Sequence, residues 1–327
     1  PEADFPIALY GMRPEWLAFL RGYGLTGLSG GPEVQFQGWD PQGQPKLAFD
    51  QADACLARAV QLGFKAPVIG YGGPGNIAGL SYENVEAVFA EWGRPAGLAA
   101  EESARRILRA WQDHARSKGW PEILWPMADE PRVREQTERI LASIAFLKKA
   151  APWIRLSGSY SVDRSPGDPI LTQALFRALD ASLLNEYGPK DFEEAASSGK
   201  FLGIYNQGPD RFTFGAYLFV EHSRGVRAFV QWHSFATHGY QFWDLDGREP
   251  DDGLVVLTSR GLKPTLALER IRMGLWDLRT LTALEKMQPG HALLEGLKST
   301  LSPGRHEKPS SLDLDVLRQT ALAILKP

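Results

Sequence analysis

The feature that most constrains the fold is a repeated alternation of short apolar runs and amphipathic helical stretches. Short apolar runs that are buried on both faces are typical of parallel strands, and each of these is followed by a helical pattern. Eight such steps predict a closed (β/α)8 barrel, an α/β fold, in a single domain spanning 1–327. The predicted strands are 5–11, 25–30, 66–71, 122–128, 154–159, 181–186, 201–205 and 226–232.

Two segments lie outside this alternation. Residues 34–47 place a glycine-containing turn between polar extended arms, which predicts a hairpin inserted after the second strand. The aromatic and acidic stretch 235–257 is interpreted as a hairpin-like loop. C-terminal helices are predicted from about residue 264, one over 264–287 and a last one over 313–325.

Composition excludes several classes of partner. The 327-residue chain has a net charge of −3 and no long basic run, so we expect no nucleic-acid partner. No apolar stretch approaches the ~20 residues that a membrane helix needs, so no membrane span is predicted. The single cysteine excludes an internal disulfide and a cysteine-based metal cluster. We predict no metal site, because His233 and His238 are the only histidines near a predicted strand end. No cofactor is expected either.

The pair Asp129 and Glu130 follows the fourth predicted strand and precedes Pro131. An acidic residue before proline is a common helix start, so a purely structural role is one interpretation. The other is catalytic, since the C-terminal ends of barrel strands carry the reacting groups. Both side chains can reach the barrel mouth only if the chain leaves strand geometry at Glu130, and Pro131 favours that by restricting Glu130 to an extended or turn conformation.

The other predicted strand ends carry aromatic rings, amides and hydroxyls. That mixture suits a polyhydroxylated neutral ligand, so the expected partner is a carbohydrate substrate. The residues predicted to bind it are Tyr71, Glu186, Tyr187, Tyr205, Asn206, Trp232 and His233.

A carboxylate pair indicates glycoside hydrolysis, with Glu130 as the acid/base. One route uses a protein nucleophile, for which Glu186 is the candidate. The seventh strand, however, ends in Tyr205-Asn206-Gln207 without a carboxylate. This absence favours the substrate's own 2-acetamido oxygen as nucleophile, with Asp129 holding the acetamido N–H and Tyr205 bonding its carbonyl. A carbohydrate-binding barrel without activity is a third possibility.

Asp129-Glu130-Pro131 after a fourth strand resembles the catalytic motif of glycoside hydrolase family 123. Three further segments are similar to that family: Pro-Lys-Leu-Ala-Phe-Asp at 45–50, Asp-Gly-Leu-Val-Val at 252–256, and Leu-Glu-Arg-Ile-Arg-Met-Gly-Leu-Trp-Asp at 268–277. The resemblance implies a retaining β-N-acetylgalactosaminidase that works by substrate assistance. It also implies that Asp129 orients the acetamido group and that Glu130 is the acid/base.

The predicted helix 264–287, which contains the last of these segments, also has a structural interpretation. Leu268, Ile271 and Leu275 recur at helical spacing and are expected in the core. Its charged residues Glu269, Arg272 and Asp277 are therefore expected to form a buried ion-pair network rather than to act on substrate.

Overall fold

The computed structural model describes residues 3–70, 76–161, 169–232, 234, 253–304 and 307–326. Eight parallel strands form one sheet in the order β1, β10, β9, β8, β7, β6, β5, β2, whose two ends meet to form a nearly closed barrel. The (β/α)8 prediction is confirmed. The barrel strands are β1 (Ile7–Leu9), β2 (Gly27–Ser29), β5 (Lys65–Ile69), β6 (Ile123–Asp129), β7 (Leu156–Ser161), β8 (Ala181–Asn185), β9 (Phe201–Tyr205) and β10 (Phe229–Gln231).

The barrel closes between β1 and β2 through the segment Thr26-Gly27. The Thr26 hydroxyl donates to the carbonyl of Phe5 (2.7 Å) and accepts the N–H of Ile7 (3.1 Å), and the Thr26 N–H donates to the Ile7 carbonyl (3.1 Å). Gly27 lies so close to β1 that an added Cβ would be 2.6 Å from Pro6 Cβ and 2.8 Å from Ile7 N. A glycine is therefore required for the two strands to approach.

This close approach makes a stability prediction. Gly27→Ala should lower the free energy of unfolding by about 1–3 kcal/mol, because the backbone of β1 must move to admit the methyl group. The matched control is Gly22→Ala, in a helix and with no atom within 4 Å of the added Cβ. That change should be neutral or stabilising by up to about 1 kcal/mol. Chemical denaturation of both variants measures the difference, and equal stabilities would contradict the account of the closure.

Helices cover the outside of the barrel with one apolar face inward. In the helix Ala100–Ser117, Ile107, Leu108 and Trp111 are buried, while Arg105 pairs on the outer face with Glu101 at 2.8 Å. The helices are α1 (Leu17–Gly22), α2 (Asp50–Gln61), α3 (Val85–Gly93), α4 (Ala100–Ser117), α5 (Arg134–Ala150), α6 (Pro169–Ala178), α7 (Pro189–Ser197), α8 (Leu218–Ser223), α9 (Leu266–Met287), α10 (Ala292–Thr300) and α11 (Leu314–Leu325). Short 3₁₀ turns occur at Pro14–Trp16 and Arg94–Ala96, and a π-helical turn at Thr213–Tyr217.

Two hairpins accompany the barrel. The predicted one is present as antiparallel β3 (Gln35–Trp39) and β4 (Pro45–Ala48). The second, β11 (Val255–Thr258) with β12 (Gly261–Pro264), corrects the sequence prediction, which placed Pro264 at the head of a helix. Pro264 instead ends β12, and Thr265 caps α9 by accepting the N–H of Leu268 (3.3 Å). Most of the predicted loop 235–257 lies outside the described residues. Helix α10 was not predicted.

The C-terminal helices attach to the barrel through Asp277 of α9. Its side chain is 2% exposed and accepts from Arg211 at 2.6 Å and 3.3 Å, while Arg318 of α11 lies 3.3 Å away. The expected network of Glu269, Arg272 and Asp277 is thus corrected: only Asp277 belongs to a buried network, and its arginines come from the segment after β9 and from α11. Glu269 and Arg272 form a separate, partly exposed ion pair, and Glu269 also accepts a hydrogen bond from the Tyr23 hydroxyl. Among the described residues, every helix is too short or too polar to cross a lipid bilayer.

Candidate active site

The C-terminal ends of the barrel strands bring polar and aromatic side chains to one end of the molecule. Because the strands are parallel, the residues that end or follow them lie around one mouth. Those that the structure describes are Tyr10 after β1, Asp129 and Glu130 at β6, Ser159 and Ser161 of β7, Asn185 and Glu186 at β8, Tyr205 and Asn206 at β9, and Trp232 after β10.

Three of these residues have an unusual backbone. Glu130 (φ 41°), Glu186 (φ 47°) and Asn206 (φ 52°) are the only non-glycine residues with positive φ in the part of the chain that the structure describes. Each is the first residue after a barrel strand, β6, β8 and β9 respectively. The left-handed region is unfavourable for residues other than glycine. Non-glycine residues in this region cluster at functional sites, where the surrounding structure holds them in place.

In a regular strand, neighbouring side chains point to opposite faces. The left-handed backbone of Glu130 ends this alternation, which is a condition for Asp129 and Glu130 to face the same mouth. The Glu130 N–H still donates to the Ser159 carbonyl of β7 at 2.8 Å, so the turn stays attached to the sheet. The conformation is the left-handed turn rather than an extended one. Pro131 follows it, and helix α5 begins at Arg134.

The Glu130 carboxylate is bonded across the mouth by Tyr205. The Tyr205 hydroxyl donates to Glu130 Oε1 at 2.8 Å, although β7 and β8 separate the two strands that carry these residues. The exposed Arg132 lies 3.4 Å from the other carboxylate oxygen. The Glu130 side chain is 28% exposed, so the carboxylate is part-buried.

Burial, and then the negative charges of Glu130 and Asp129, raise the pKa of Tyr205 far above its ordinary value. Its phenol therefore stays protonated and is a permanent hydrogen-bond donor. Asp129 directly precedes Glu130 in the chain, so the two residues lie at the same part of the mouth. Asp129 ends β6 opposite Ser159 of β7 and is part-buried.

Glu186, after β8, is a third carboxylate at the mouth. The Ser161 hydroxyl donates to Glu186 Oε2, and the Glu186 N–H donates to the Asn185 side-chain oxygen at 3.0 Å. Strand β7 was predicted to end at Ser159, and its two extra residues bring Ser161 to this position. The contact could not be anticipated from the predicted strand.

An aromatic wall borders the carboxylates. The Tyr10 ring lies 5.6 Å from the Trp232 ring and 6.5 Å from the Tyr205 ring, measured between centroids. The Tyr10 hydroxyl lies 3.2 Å from Ser159 Oγ. The backbone N–H of Trp232 donates to the Asn206 side-chain oxygen at 2.8 Å. Tyr10 and Tyr205 are buried, at 3% and 2% exposure, whereas Trp232 is partly exposed. Of these three rings, Trp232 is therefore the one that can stack on the apolar face of a sugar.

One predicted binding residue is not at the mouth. Tyr187 follows the left-handed Glu186, is buried, and stacks on Phe192 of α7 with centroids 5.9 Å apart. Its hydroxyl lies 2.9 Å from the Tyr217 hydroxyl and donates to Glu221 at 2.9 Å. The change of chain direction at Glu186 thus sends the ring into the helix layer. Tyr71 and His233, also predicted to bind substrate, lie outside the described residues.

Comparison with known proteins does not identify an activity for this chain. No protein-family model matches the sequence, and no curated protein matches it significantly. Among solved structures, the chain is similar to a Thermobacillus composti GH10 xylanase (13% identity, 83% of this chain, 97% of that one, TM-score 0.45) and to the xylanase XynB from Paenibacillus barcinonensis (13%, 83% and 96%, 0.47). It is also similar to a thermostable chitinase domain from Pyrococcus furiosus (8%, 85% and 96%, 0.43). Values this low carry no argument about activity.

Proposed function

We propose that this protein is a glycoside hydrolase whose acid/base is Glu130. The observation that supports the proposal is the contact of Tyr205 with Glu130, because it joins a permanent donor to the second of two consecutive carboxylates at the barrel mouth. Glycosidic cleavage needs a proton for the leaving oxygen and negative charge near the cationic ring of the transition state. Glu130 supplies the first and Asp129 the second, and the partly exposed ring of Trp232 stacks on the sugar.

The proposed substrate is a β-linked N-acetylhexosamine, GalNAc by the resemblance to glycoside hydrolase family 123. The end of β9 supports substrate assistance, since it offers the phenol of Tyr205 and the amide of Asn206 where a carboxylate nucleophile would otherwise act. The acetamido oxygen attacks the anomeric carbon while Asp129 accepts the acetamido N–H. Glu130 protonates the leaving oxygen as the glycosidic bond breaks. The Tyr205 hydroxyl, which donates to Glu130 in the free protein, then donates its hydrogen bond to the acetamido oxygen.

A second candidate is hydrolysis of unacetylated sugars with Glu186 as nucleophile or base. The observation in its favour is that Glu186 shares the left-handed backbone of Glu130 and is held at the same end of the barrel by Ser161. In that route Glu130 keeps its role as the acid and Asp129 has no direct one.

A panel of aryl β-glycosides separates these proposals. We expect hydrolysis of the GalNAc glycoside, or of GlcNAc, with no turnover of galactose and glucose glycosides. We also expect strong competitive inhibition by a thiazoline that mimics the cyclised acetamido intermediate. Hydrolysis confined to galactose or glucose would overturn substrate assistance and favour Glu186. Binding of sugars without hydrolysis of any glycoside, including longer glycans, would overturn the enzymatic proposal in favour of a carbohydrate-binding barrel.

A further inference from the structure

A buried polar network lies behind the ends of β8 and β9, and Gln207 is its junction. Gln207 is 3% exposed, and its side-chain amide makes three hydrogen bonds. Its Nε2 donates to the Tyr205 carbonyl (2.7 Å) and to the Asn185 side-chain oxygen (3.2 Å), and its Oε1 accepts from the Tyr217 hydroxyl (3.1 Å). Two acceptors on one side and a donor on the other define which way the amide points.

Both acceptors of the Gln207 amide belong to the strained turns of the candidate site. The Asn185 side-chain oxygen also accepts the N–H of Glu186, so Gln207 fixes the group that holds the left-handed turn after β8. The Tyr205 carbonyl belongs to the peptide that leads into left-handed Asn206. One amide is therefore bonded to the turns after two neighbouring strands, and to the residue whose hydroxyl contacts Glu130.

The other side of the network anchors Gln207 to the helix layer. Tyr217 lies beside Tyr187, whose hydroxyl donates to Glu221, a carboxylate with 0% exposure. Arg224 pairs with Glu221 at 2.8 Å and donates to the Lys298 and Leu301 carbonyls at the end of α10. Burial raises the pKa of both phenols, so they remain donors. The network thus connects a C-terminal helix with the mouth.

We propose that Gln207 is a positioning residue for the reaction at the mouth, acting through the Glu186 turn and the Tyr205 backbone. Left-handed conformations at residues with side chains persist only where surrounding bonds over-determine them. Gln207 provides such bonds at two of the three sites, while Glu130 is held separately by the Ser159 carbonyl. The expected effect of Gln207 on catalysis rests on the proposed function. Its expected effect on the turn at Glu186 is independent of that function.

The test replaces Gln207 with methionine, which keeps the length of the side chain and removes all three hydrogen bonds. We expect faster amide hydrogen exchange at Glu186, with unchanged protection at Glu130, whose N–H the network does not touch. With a glycoside that the wild type hydrolyses, we expect kcat to fall ~10–100-fold with little change in KM, the range typical of supporting residues around reacting groups. Gln207→Glu, which keeps the acceptor for Tyr217 and loses the two N–H donors when ionised, should share both effects.

The control is Tyr160→Phe. It removes another buried phenol bond, to Ser182 at 2.9 Å, that does not connect to the mouth. This variant should be destabilised but keep the wild-type exchange at Glu186 and the wild-type kcat. Unchanged exchange at Glu186 in both Gln207 variants would overturn the inference, as would an equal fall in kcat for Tyr160→Phe. If the wild type hydrolyses no glycoside, the proposed function fails, and the exchange experiment alone still decides whether Gln207 positions the turn.

Discussion

Glu130→Gln is expected to lower kcat/KM by ~10²–10⁴-fold on glycosides with poor leaving groups, the range of a lost general acid. Activated aryl glycosides should be affected much less, because their leaving oxygen departs without a proton. The variant keeps the size of the side chain and an acceptor for the Tyr205 hydroxyl, so the mouth should retain its shape. The measurement is kcat/KM across a series of leaving groups, where the variant should show a steeper dependence on leaving-group pKa than the wild type.

Two comparisons make the result specific. Glu122→Gln changes the same chemistry just before β6, at the opposite end of that strand, where Glu122 pairs with Arg155 at 2.7 Å. It should leave the kinetics unchanged. Asp129→Asn should lower turnover of all N-acetylated substrates, including the activated ones, since the charge that orients the acetamido group is lost. Wild-type turnover by Asp129→Asn would rule out that role, and a uniform loss for Glu130→Gln would rule out Glu130 as the acid.

Asp277→Ala is expected to give the largest loss of stability, about 3–5 kcal/mol in the free energy of unfolding. Burial raises the pKa of Asp277 in spite of the attraction of Arg211, which shows how strongly the site is desolvated. Removing the carboxylate leaves Arg211 and Arg318 without their buried partner, and an unpaired buried charge is strongly destabilising. The ion pair between Asp277 of α9 and Arg318 of α11 is lost with it.

The matched control is Asp315→Ala. Asp315 contacts the same two arginines, at 2.7 Å from Arg211 and 3.3 Å from Arg318, but its side chain is 70% exposed. Water already solvates this carboxylate, so its removal should shift the denaturation midpoint only slightly. Denaturant titrations of the two variants measure the contrast. Similar losses for both would mean that burial at Asp277 does not control the stability of this network.

The barrel was predictable because its signals are local. A strand that is buried on both faces appears as a continuous apolar run, and the helix after it appears as a spaced apolar pattern, whatever their tertiary partners. The hairpin at 34–47 was found in the same way, from its turn residues. The hairpin β11–β12 was missed because Pro264 is equally compatible with the first turn of a helix and with a strand end.

The candidate site was only partly predictable. Asp129, Glu130, Glu186 and Tyr205 were selected because they end or follow apolar runs, and the structure places them around one mouth. Tyr187 was selected by the same rule and lies in the helix layer, since the rule assumes that the chain continues in its direction after a strand. The left-handed turn at Glu186 breaks that assumption.

The sequence alone determined the order of the eight barrel strands and the chemical groups available at their ends, because both follow from the spacing of apolar residues along the chain. Only the tertiary structure decided which of those groups meet. The Tyr205–Glu130 contact joins strands separated by two others, and the residues at the turns bond across the sheet, Asn185 to the amide of Gln207 and Asn206 to the backbone N–H of Trp232. The physical reason is that a left-handed residue with a side chain is unfavourable locally, so its conformation is held by hydrogen bonds from distant parts of the chain.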